Sequence, residues 1–478
     1  MPPIRTSDAS KTPALPFKKP SRRSCVLSTS ELSDLTSCSD DDHAGHLTGP
    51  RHANTAMETR RGRNSCRVNP ITIKGITLQP TVVFDTFWQF AAERKAIDDR
   101  RRAGMPQPWS DDPIFQKYRF CNTYRVLDKV SQYLIREVIE KGSQEPLEVV
   151  FRVILFNSFT KIETWELLLK EIGSLTWASY ERDREKYRRV LGRAKQRGAS
   201  LYTGAFQKPA PNLGEPDAHT NHLLLLETLL DHDLPGRFQT AKYMAEVYEY
   251  LLSFPGMGEF ATYQLLLSLS YTNLLNFSNL DFVIAGPGAS SGLAKMFGVQ
   301  KMKAAKQEVP DIEEEIIRWM AESQNVQFAR LGLDFSGLGP DRLPMDLADI
   351  EHTLCEVDKY SRKAHPHIKG RRTEIRTVFN PSPGVYPPTI VLPKAWKHPA
   401  RRVVRIWPGP RPVKDPRYVL KSIKGHRDST NGREYRVSWL GYTVKDDTWE
   451  PEKNLLLDAP DVIDKYLRSL ALLREVRL

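Results

Sequence analysis

The feature that most limits the fold is a long tract of amphipathic segments, running from about Thr81 to Arg362 with few strand-like alternations. Apolar residues recur there at the three- and four-residue spacing of an α-helix, which packs one face and exposes the other. A tract of this length can bury a large core. It predicts a mainly α-helical domain, which we assign to residues 75–365.

The flanking segments differ in composition. Residues 1–66 are rich in Ser, Thr, Pro and Arg and poor in apolar residues, which predicts a disordered tail. Between Arg362 and Arg417 there are 14 Lys or Arg, two acids and 11 prolines, so this tract carries a charge equal to the net +12 of the chain. The basic Pro-rich linker, 366–416, is either a solvated spacer or an arm that contacts phosphates.

Charge and cysteine content narrow the class of protein. A sequence pI near 9.3 favours a polyanionic partner. The five cysteines are scattered and contain no C-x-x-C pair, which predicts a reduced intracellular protein without a zinc finger. No apolar run approaches the 18 or so residues that span a bilayer, so we expect no membrane partner. We expect neither a bound metal nor another cofactor.

The segment 108–135 predicts a helix that begins with Asp112 as N-cap and Pro113 in the first turn. At 100° per residue its apolar side would hold Phe120, Tyr124, Leu127, Val130 and Leu134, and its polar side Arg119, Asn122, Arg125, Lys129 and Gln132. The polar side is either solvated, or it is a fork in which Arg119, Asn122 and Arg125 bind a phosphate or a base edge.

Farther along, LLSFPGMGEFATYQLLLSLSY (251–271) predicts two apolar helices joined by a Pro-Gly-x-Gly turn. In a helix-hairpin-helix, Gly256 and Gly258 would let backbone amides approach a phosphate at the start of the second helix. The alternative is an ordinary turn between two helices with a glycine stop.

The stretch DIEHTLCEVDKY (349–360) concentrates ionisable side chains on one predicted helix. Ile350, Leu354 and Val357 would face the core. One polar strip would hold Glu351, Cys355, Asp358 and Arg362, and its neighbour His352, Glu356 and Lys359. Three alternatives remain open: a solvated salt-bridged face, a metal site, and a buried wall that binds or acts on a base.

Residues 417–474 predict a small α+β module. Two strand-like runs, 418–423 and 434–440, flank an Asn431-Gly432 turn, and Pro460 stands near the start of a helix.

The runs YRVSWLGY (435–442) and TWEPEKNL (448–455), followed by that helix, resemble a chromodomain. The resemblance implies that Tyr418, Trp439 and Tyr442 form an aromatic cage for a methylated lysine, in a histone tail or another peptide. The alternative is that they are ordinary core aromatics. Lys421 and Leu440 depart from the usual chromodomain pattern, which has an acid and a basic residue there.

Four blocks of the helical tract resemble the helical domain of 5-hydroxymethyluracil DNA kinases and of α-glutamyl/putrescinyl thymine pyrophosphorylases, relatives of the helix-hairpin-helix DNA glycosylases. The blocks are 87–132, YTGAF (202–206), DFVIAGPGA (281–289) and 349–362. The glycosylase relationship implies a catalytic role for Asp281. With it we expect Glu351 and His352 to act at a base, and Lys359 and Arg362 to join Arg119 and Arg125 in gripping phosphate. The kinase phosphate loop G-x-x-x-x-G-K-S/T does not occur, so kinase activity is not carried over.

Together these patterns predict a nuclear, chromatin-targeted protein that binds DNA. Its helical domain would act on or recognise a 5-modified pyrimidine, with pyrophosphorylase- or glycosylase-like chemistry as the possible activity, and its chromodomain would read methyl-lysine. The alternatives are a non-catalytic chromatin adaptor and a protein derived from a mobile element.

Overall fold

The computed structural model describes residues 69–203, 209–380, 389–430 and 432–475, which contain 17 α-helices and five β-strands. The predicted class, a mainly helical domain with a small α+β module, is confirmed. The predicted tail 1–66, residues 204–206 of the YTGAF block and Asn431 of the predicted turn lie outside the described residues. Among the helices that the structure describes, none has both the length and the apolar character needed to cross a membrane.

A short hairpin precedes the helical domain, with β1 at Ile71–Ile73 and β2 at Ile76–Leu78. The helices follow in chain order: α1 Val82–Arg102, α2 Pro113–Lys117, α3 Lys129–Tyr133, α4 Pro146–Phe159, α5 Ile162–Ile172, α6 Trp177–Arg182, α7 Arg184–Gln196, α8 Ala218–Leu230, α9 Leu234–Thr240, α10 Met244–Ser253, α11 Glu259–Leu269, α12 Pro287–Phe297, α13 Val299–Glu308, α14 Ile312–Arg330 and α15 Leu347–Ala364. A π-helical turn, Leu134–Ile139, follows α3.

The centre of this domain is the packing of α15 against α1, α12 and α14. Helix α12 comes unusually close because it presents two glycines to α15. A Cβ added at Gly292 would lie 2.5 Å from the Leu354 carbonyl oxygen, and one at Gly288 would overlap Cys355. Two helix backbones can approach this closely only where no side chain intervenes.

The predicted single helix over 113–134 is interrupted in the structure: only Pro113–Lys117 and Lys129–Tyr133 are α-helical there. Asp112 does cap α2, accepting from the Ile114 amide at 2.7 Å, but α2 ends at Lys117 and the chain then runs extended to Tyr124. Backbone pairing outside the helix explains the change: the Arg119 amide donates to the Thr377 carbonyl at 3.1 Å. The extended stretch turns Asn122 and Arg125 inward, where both are at least nine-tenths buried.

Where it is described, the basic linker lies along the helical domain. The Arg401 guanidinium is buried and donates to the Ser270 and Leu275 carbonyls, at 2.6 and 2.5 Å, beyond the end of α11. The Arg405 amide donates to Asp281, and the Arg411 guanidinium pairs with two glutamates. At these residues the linker is held against the helical domain, so it is not a free spacer.

The C-terminal module is a three-stranded antiparallel sheet in the order β3-β4-β5 with two helices. Its elements are β3 Leu420–Ser429, β4 Gly432–Trp439, β5 Thr448–Pro451, α16 Glu452–Asp458 and α17 Pro460–Glu475. A small core forms around Ile423, Tyr435, Val437, Trp439, Leu455 and Ile463. Helix α17 begins at Pro460 as predicted and covers the sheet with Ile463, but the predicted apolar face is narrower, because Leu467 is 39% exposed.

The contact between α12 and α15 yields a stability prediction. Gly292→Ala should lower the free energy of unfolding by about 1–3 kcal/mol, because the new methyl group meets a rigid carbonyl. Gly192→Ala is the matched control, since Gly192 lies inside α7 and its added Cβ would meet only His219 at 3.6 Å. That change should be neutral or stabilise by about 0.5–1 kcal/mol. Urea unfolding measures both, and equal effects would contradict the close packing.

Candidate functional site

Helix α15 is a polar helix that is buried on every side. The ionisable side chains of its middle turns are almost without solvent exposure: Glu351 is 5% exposed, His352 4%, Glu356 1% and Lys359 3%. The solvated-face alternative for 349–360 is therefore wrong. Burial of charged groups costs free energy unless each is paired, so the partners of these side chains define the site.

Three carboxylates of α15 accept hydrogen bonds from backbone amides of other segments. Asp349 accepts from the Arg125 amide at 2.8 Å, and Glu356 from the Cys121 amide at 3.1 Å. Glu351 accepts from the Gly286 amide at 3.0 Å, next to the start of α12. Helix α15 thus fixes both the extended stretch 118–124 and the N-terminus of α12.

The cations of α15 are paired internally. Lys359 lies 2.6 Å from a Glu356 carboxylate oxygen, and this attraction raises the pKa of Lys359 even though burial alone would lower it. Arg362 pairs with Asp358 at 2.7 Å and donates to the Glu374 carbonyl at 2.8 Å. Both predicted phosphate ligands are thus engaged inside the domain.

A cavity with a volume of about 420 Å³ lies beside the extended stretch 118–124. Aromatic rings form much of its wall: Trp109, Phe115, Tyr118, Phe120 and Phe379. Trp109 meets Phe379 edge to face, with ring centroids 6.2 Å apart, and the Arg101 guanidinium lies 5.2 Å from the Trp109 ring centre. Aromatic walls with a few polar groups are typical of sites for planar organic ligands. We call this space the Trp109 cavity.

Two buried polar atoms at this wall find no hydrogen-bond partner among the described residues. They are the side-chain oxygen of Asn122, a residue 4% exposed, and Nη1 of Arg94, a residue 7% exposed. Arg94 is held by its Nε, which donates to the Phe120 carbonyl at 3.3 Å. A buried polar atom without a partner costs free energy of desolvation. One acceptor and one donor are therefore available to a ligand. Arg101, Arg119 and Lys129 add positive charge to the same cavity.

Asp128 joins the cavity to α15. Its carboxylate accepts from the Asn122 amide at 2.9 Å and lies 3.4 Å from Nε2 of His352. Burial raises the pKa of Asp128 to about 7. Burial lowers the pKa of His352 well below its usual value, and the charges of Arg125 and Lys359 lower it further. His352 is therefore neutral at neutral pH, and Nε2 is 3.1 Å from the Asn122 carbonyl.

Cys121, Asp128 and His352 could each offer one metal-ligating atom, all within 4.8 Å of one another. Their surroundings suit a cation poorly. Asp128 and His352 both use these atoms toward Asn122, and the nearby charges of Arg94, Arg125 and Lys359 are positive. A divalent ion would meet repulsion from these groups, whereas an anionic or carbonyl-rich ligand would be attracted.

The remaining predicted site residues lie away from the Trp109 cavity. Arg125 donates to the Gln264 side chain, and Glu351, whose pKa burial raises to about 7, contacts α12. Asp281 accepts from the Arg405 amide at 2.6 Å and the Ser278 amide at 2.9 Å, beside a separate cavity of about 60 Å³. Among the predicted site residues, Arg119 and Asn122 line the Trp109 cavity, and Arg125, Asp281, Glu351 and Lys359 do not.

Gly256 and Gly258 lie in the turn between α10 and α11, as predicted. Gly256 has a positive φ of 76° and packs closely on Pro211. Gly258 is the N-cap of α11. The linker covers this turn, since Lys414 Nζ donates to the Phe254 and Met257 carbonyls at 3.2 and 2.5 Å.

In the C-terminal module, the three predicted cage residues do come together. The Tyr418 ring centre lies 6.0 Å from that of Trp439, at 71°, and 5.6 Å from that of Tyr442, at 35°. Trp439 is 2% exposed and donates to the Thr448 hydroxyl at 3.0 Å, so it also belongs to the small core. Tyr418 and Tyr442 are half-buried and present the accessible ring surfaces.

Four residues of the cavity were not predicted from the sequence: Arg94, Trp109, Asp128 and Phe379. Trp109 stands directly before the N-cap region of α2 in PWSDDP, and a large aromatic in a loop that precedes a helix was the available signal. Phe379 carried no such signal in the sequence, because it reaches the cavity only through the backbone pairing of 377–379 with 117–119.

The fold and site define a helical protein with a polar, aromatic-lined cavity, joined to a small sheet-and-helix module. The chain belongs to the family of the 5-hmdU DNA kinase, helical domain, whose model matches residues 81–370. Residues 418–469 match the Chromo (chromatin organisation modifier) domain. The resemblances to the helical domain of 5-hydroxymethyluracil DNA kinases and to a chromodomain are thus confirmed.

Two relatives illustrate these matches. The "5-hmdU DNA kinase" of Bacillus phage SP10 is 23% identical over 317 residues, which are 61% of this chain and 47% of the phage protein. The "Chromo domain-containing protein cec-3" of Caenorhabditis elegans is 36% identical over 53 residues, 11% of this chain and 16% of that protein. The chain therefore spans about half the length of the first relative and a sixth of the second. No solved structure matches it.

The pKa of Asp128 yields a prediction on stability. An ordinary aspartate has a pKa near 3.9, so between about pH 4 and 7 the folded state keeps a proton that the unfolded state has released. Through this group, stability falls as pH rises across that window and levels off above it. Asp128→Asn lacks the titration, so its stability relative to wild type should improve by about 1 kcal/mol or more from about pH 5 to pH 8.

Urea unfolding at both pH values measures this difference, and Asp111→Asn, at an exposed position of the same region, is the control. Parallel pH profiles of wild type and Asp128→Asn would contradict a protonated Asp128.

Proposed function

We propose that this protein acts on chromatin in the nucleus, where its helical domain binds DNA by holding one 5-modified pyrimidine in the Trp109 cavity. The observation that carries this proposal is the pair of buried, unpartnered groups on Asn122 and Arg94, set in an aromatic wall. A base taken out of the duplex needs both: rings to stack on and polar groups for its Watson–Crick edge.

The chemistry of the wall favours a uracil-type base. The Asn122 side chain can accept from N3–H of a pyrimidine-2,4-dione, and Arg94 can donate to a neighbouring carbonyl. The positive groups Arg101 and Arg119 favour carbonyls and phosphate over amino groups. Membership of a family named for 5-hmdU supports a hydroxymethyl-type substituent on that base.

Recognition is the function that the geometry supports best. Asp281 and Glu351 lie outside the cavity, and the carboxylate of each accepts a hydrogen bond from a backbone amide of the helical domain. Asp128 is the carboxyl group at the cavity, with a pKa of about 7 that suits proton transfer near neutral pH. Any reaction on the bound base would therefore use Asp128 before Asp281.

We further propose that the chromodomain binds a methylated lysine of a histone tail or another peptide. The grouping of Tyr418, Trp439 and Tyr442 supports this, because a quaternary ammonium is attracted to several ring faces at once.

Trp109→Ala tests the cavity. It should lower the affinity for a duplex with one 5-hydroxymethyluracil by roughly tenfold, because the stacking surface for the extruded base is lost. Fluorescence anisotropy of labelled duplexes measures the change. Trp449→Ala is the control, since Trp449 is a half-exposed tryptophan of the chromodomain. An unchanged affinity in Trp109→Ala would contradict base binding here.

Asn122→Ala separates recognition of the base edge from stacking. Wild type should bind a duplex with 5-hydroxymethyluracil more tightly than one with 5-hydroxymethylcytosine. The variant should lose most of that preference and keep its affinity for unmodified duplex. Mass spectrometry of the recovered bases in the same samples reports any reaction. Equal weak binding of all duplexes with no product would leave the adaptor alternative.

Tyr418→Ala and Tyr442→Ala test the cage. Each should weaken binding to a trimethyl-lysine histone H3 peptide by roughly tenfold, through loss of a ring face, without affecting the weak binding of the unmethylated peptide. These residues are preferred to Trp439, which also holds the core. Isothermal titration measures both peptides, and equal affinity for the two in wild type would contradict a methyl-lysine cage.

A further inference from the structure

The hairpin between α10 and α11 is the place where the chromodomain meets the helical domain. The linker that leads into the chromodomain satisfies the carbonyls of this turn: Lys414 Nζ binds those of Phe254 and Met257, and the Arg417 amide donates to the Ser253 carbonyl at 2.8 Å. Carbonyls at the end of a helix need such donors, so the linker completes the end of α10.

Arg417 adds a second type of contact. Its guanidinium carbon lies 4.8 Å from the ring centre of Tyr250 and 4.9 Å from that of Phe254. A cation between two aromatic faces is held more firmly than one in an exposed salt bridge. The next residue in the chain is Tyr418 of the cage.

The loop after β4 makes the third contact. Leu440 is 4% exposed and belongs to the core of the helical domain, not to that of the chromodomain. At Gly441, with a φ of 80°, an added Cβ would lie 3.2 Å from the Asn212 carbonyl oxygen and 3.8 Å from Pro255. Only glycine combines this backbone conformation with so close an approach.

The two departures from the usual chromodomain pattern both lie at this interface. Leu440 occupies a position where a basic residue is usual, and here it is buried between the domains. Lys421 lies beside Gly214 of the helical domain, whose added Cβ would come within 2.7 Å of Lys421 Nζ. These residues suit docking on the helical domain.

Each cage residue is adjacent in sequence to a residue of this interface. Tyr418 follows Arg417, Trp439 precedes Leu440, and Tyr442 follows Gly441. We propose that docking on the α10–α11 hairpin pre-organises the methyl-lysine cage, so that peptide binding and domain docking stabilise each other. Restraining a loop before a ligand arrives removes part of the ordering cost of binding. The coupling is reciprocal, so an occupied cage holds the linker on the hairpin more tightly.

This inference rests on the proposed methyl-lysine function, and full-length protein tests it. Leu440→Lys restores the basic residue that is usual in chromodomains and removes the buried apolar contact. It should weaken binding to the trimethyl-lysine histone H3 peptide by roughly fivefold or more. Arg417→Ala should act in the same direction. Leu456→Lys introduces the same charge at a position 51% exposed in α16 and should leave the affinity unchanged.

Hydrogen exchange provides the reciprocal measurement. Addition of the trimethyl-lysine peptide should slow exchange of the Arg417 amide in wild type, because that amide donates to Ser253, and should have little effect in Leu440→Lys. Wild-type affinity in Leu440→Lys and Arg417→Ala, with unchanged exchange at residue 417, would overturn the coupling and leave the cage proposal intact. A wild-type protein that binds no methylated peptide would overturn both.

Discussion

The structure depends on the burial of one ionisable helix. Asp349, Glu351 and Glu356 of α15 accept backbone amides from three places that are distant in sequence, at Arg125, Gly286 and Cys121. An unpaired buried carboxylate costs several kcal/mol, so these segments can take only positions that supply the donors. Helix α15 therefore acts as the template on which the irregular parts of the domain are ordered.

The shape of the Trp109 cavity depends on these hydrogen bonds to α15. Because Glu356 and Asp349 hold the amides of residues 121 and 125, the chain between them cannot close into a helix, and the extended backbone carries Asn122 to the cavity wall. Asp128 then accepts the Asn122 amide. The result is an electropositive, partly aromatic space with one acceptor and one donor unpaired, which is the complement of a carbonyl-bearing base.

Several features were predictable from sequence because they are local. The cap at Asp112 and the helix start at Pro460 follow from local residue preferences. The close grouping of Tyr418, Trp439 and Tyr442 follows from the resemblance to a chromodomain. The run 118–124 was predicted incorrectly as helix, since its amphipathic pattern is outweighed by hydrogen bonds to residues more than 200 positions away.

The site was predictable only in part for the same reason. Arg119 and Asn122 do line the cavity, but the amphipathic pattern of 349–360 cannot tell a polar face that meets water from one that meets buried backbone amides. Lys359 and Arg362 form ion pairs with acidic residues of α15 itself, so neither side chain is available at the surface. Leu440 departs from the chromodomain pattern because it packs into the buried core of the helical domain, which the sequence pattern does not show.

The most direct measurement is a crystal structure of the full chain bound to a duplex with a single 5-hydroxymethyluracil. We predict that this base is out of the stack, lies against Trp109, and places N3 within hydrogen-bond distance of the Asn122 side-chain oxygen. A duplex that keeps the base stacked, with the Trp109 cavity making no contact to DNA, would contradict it.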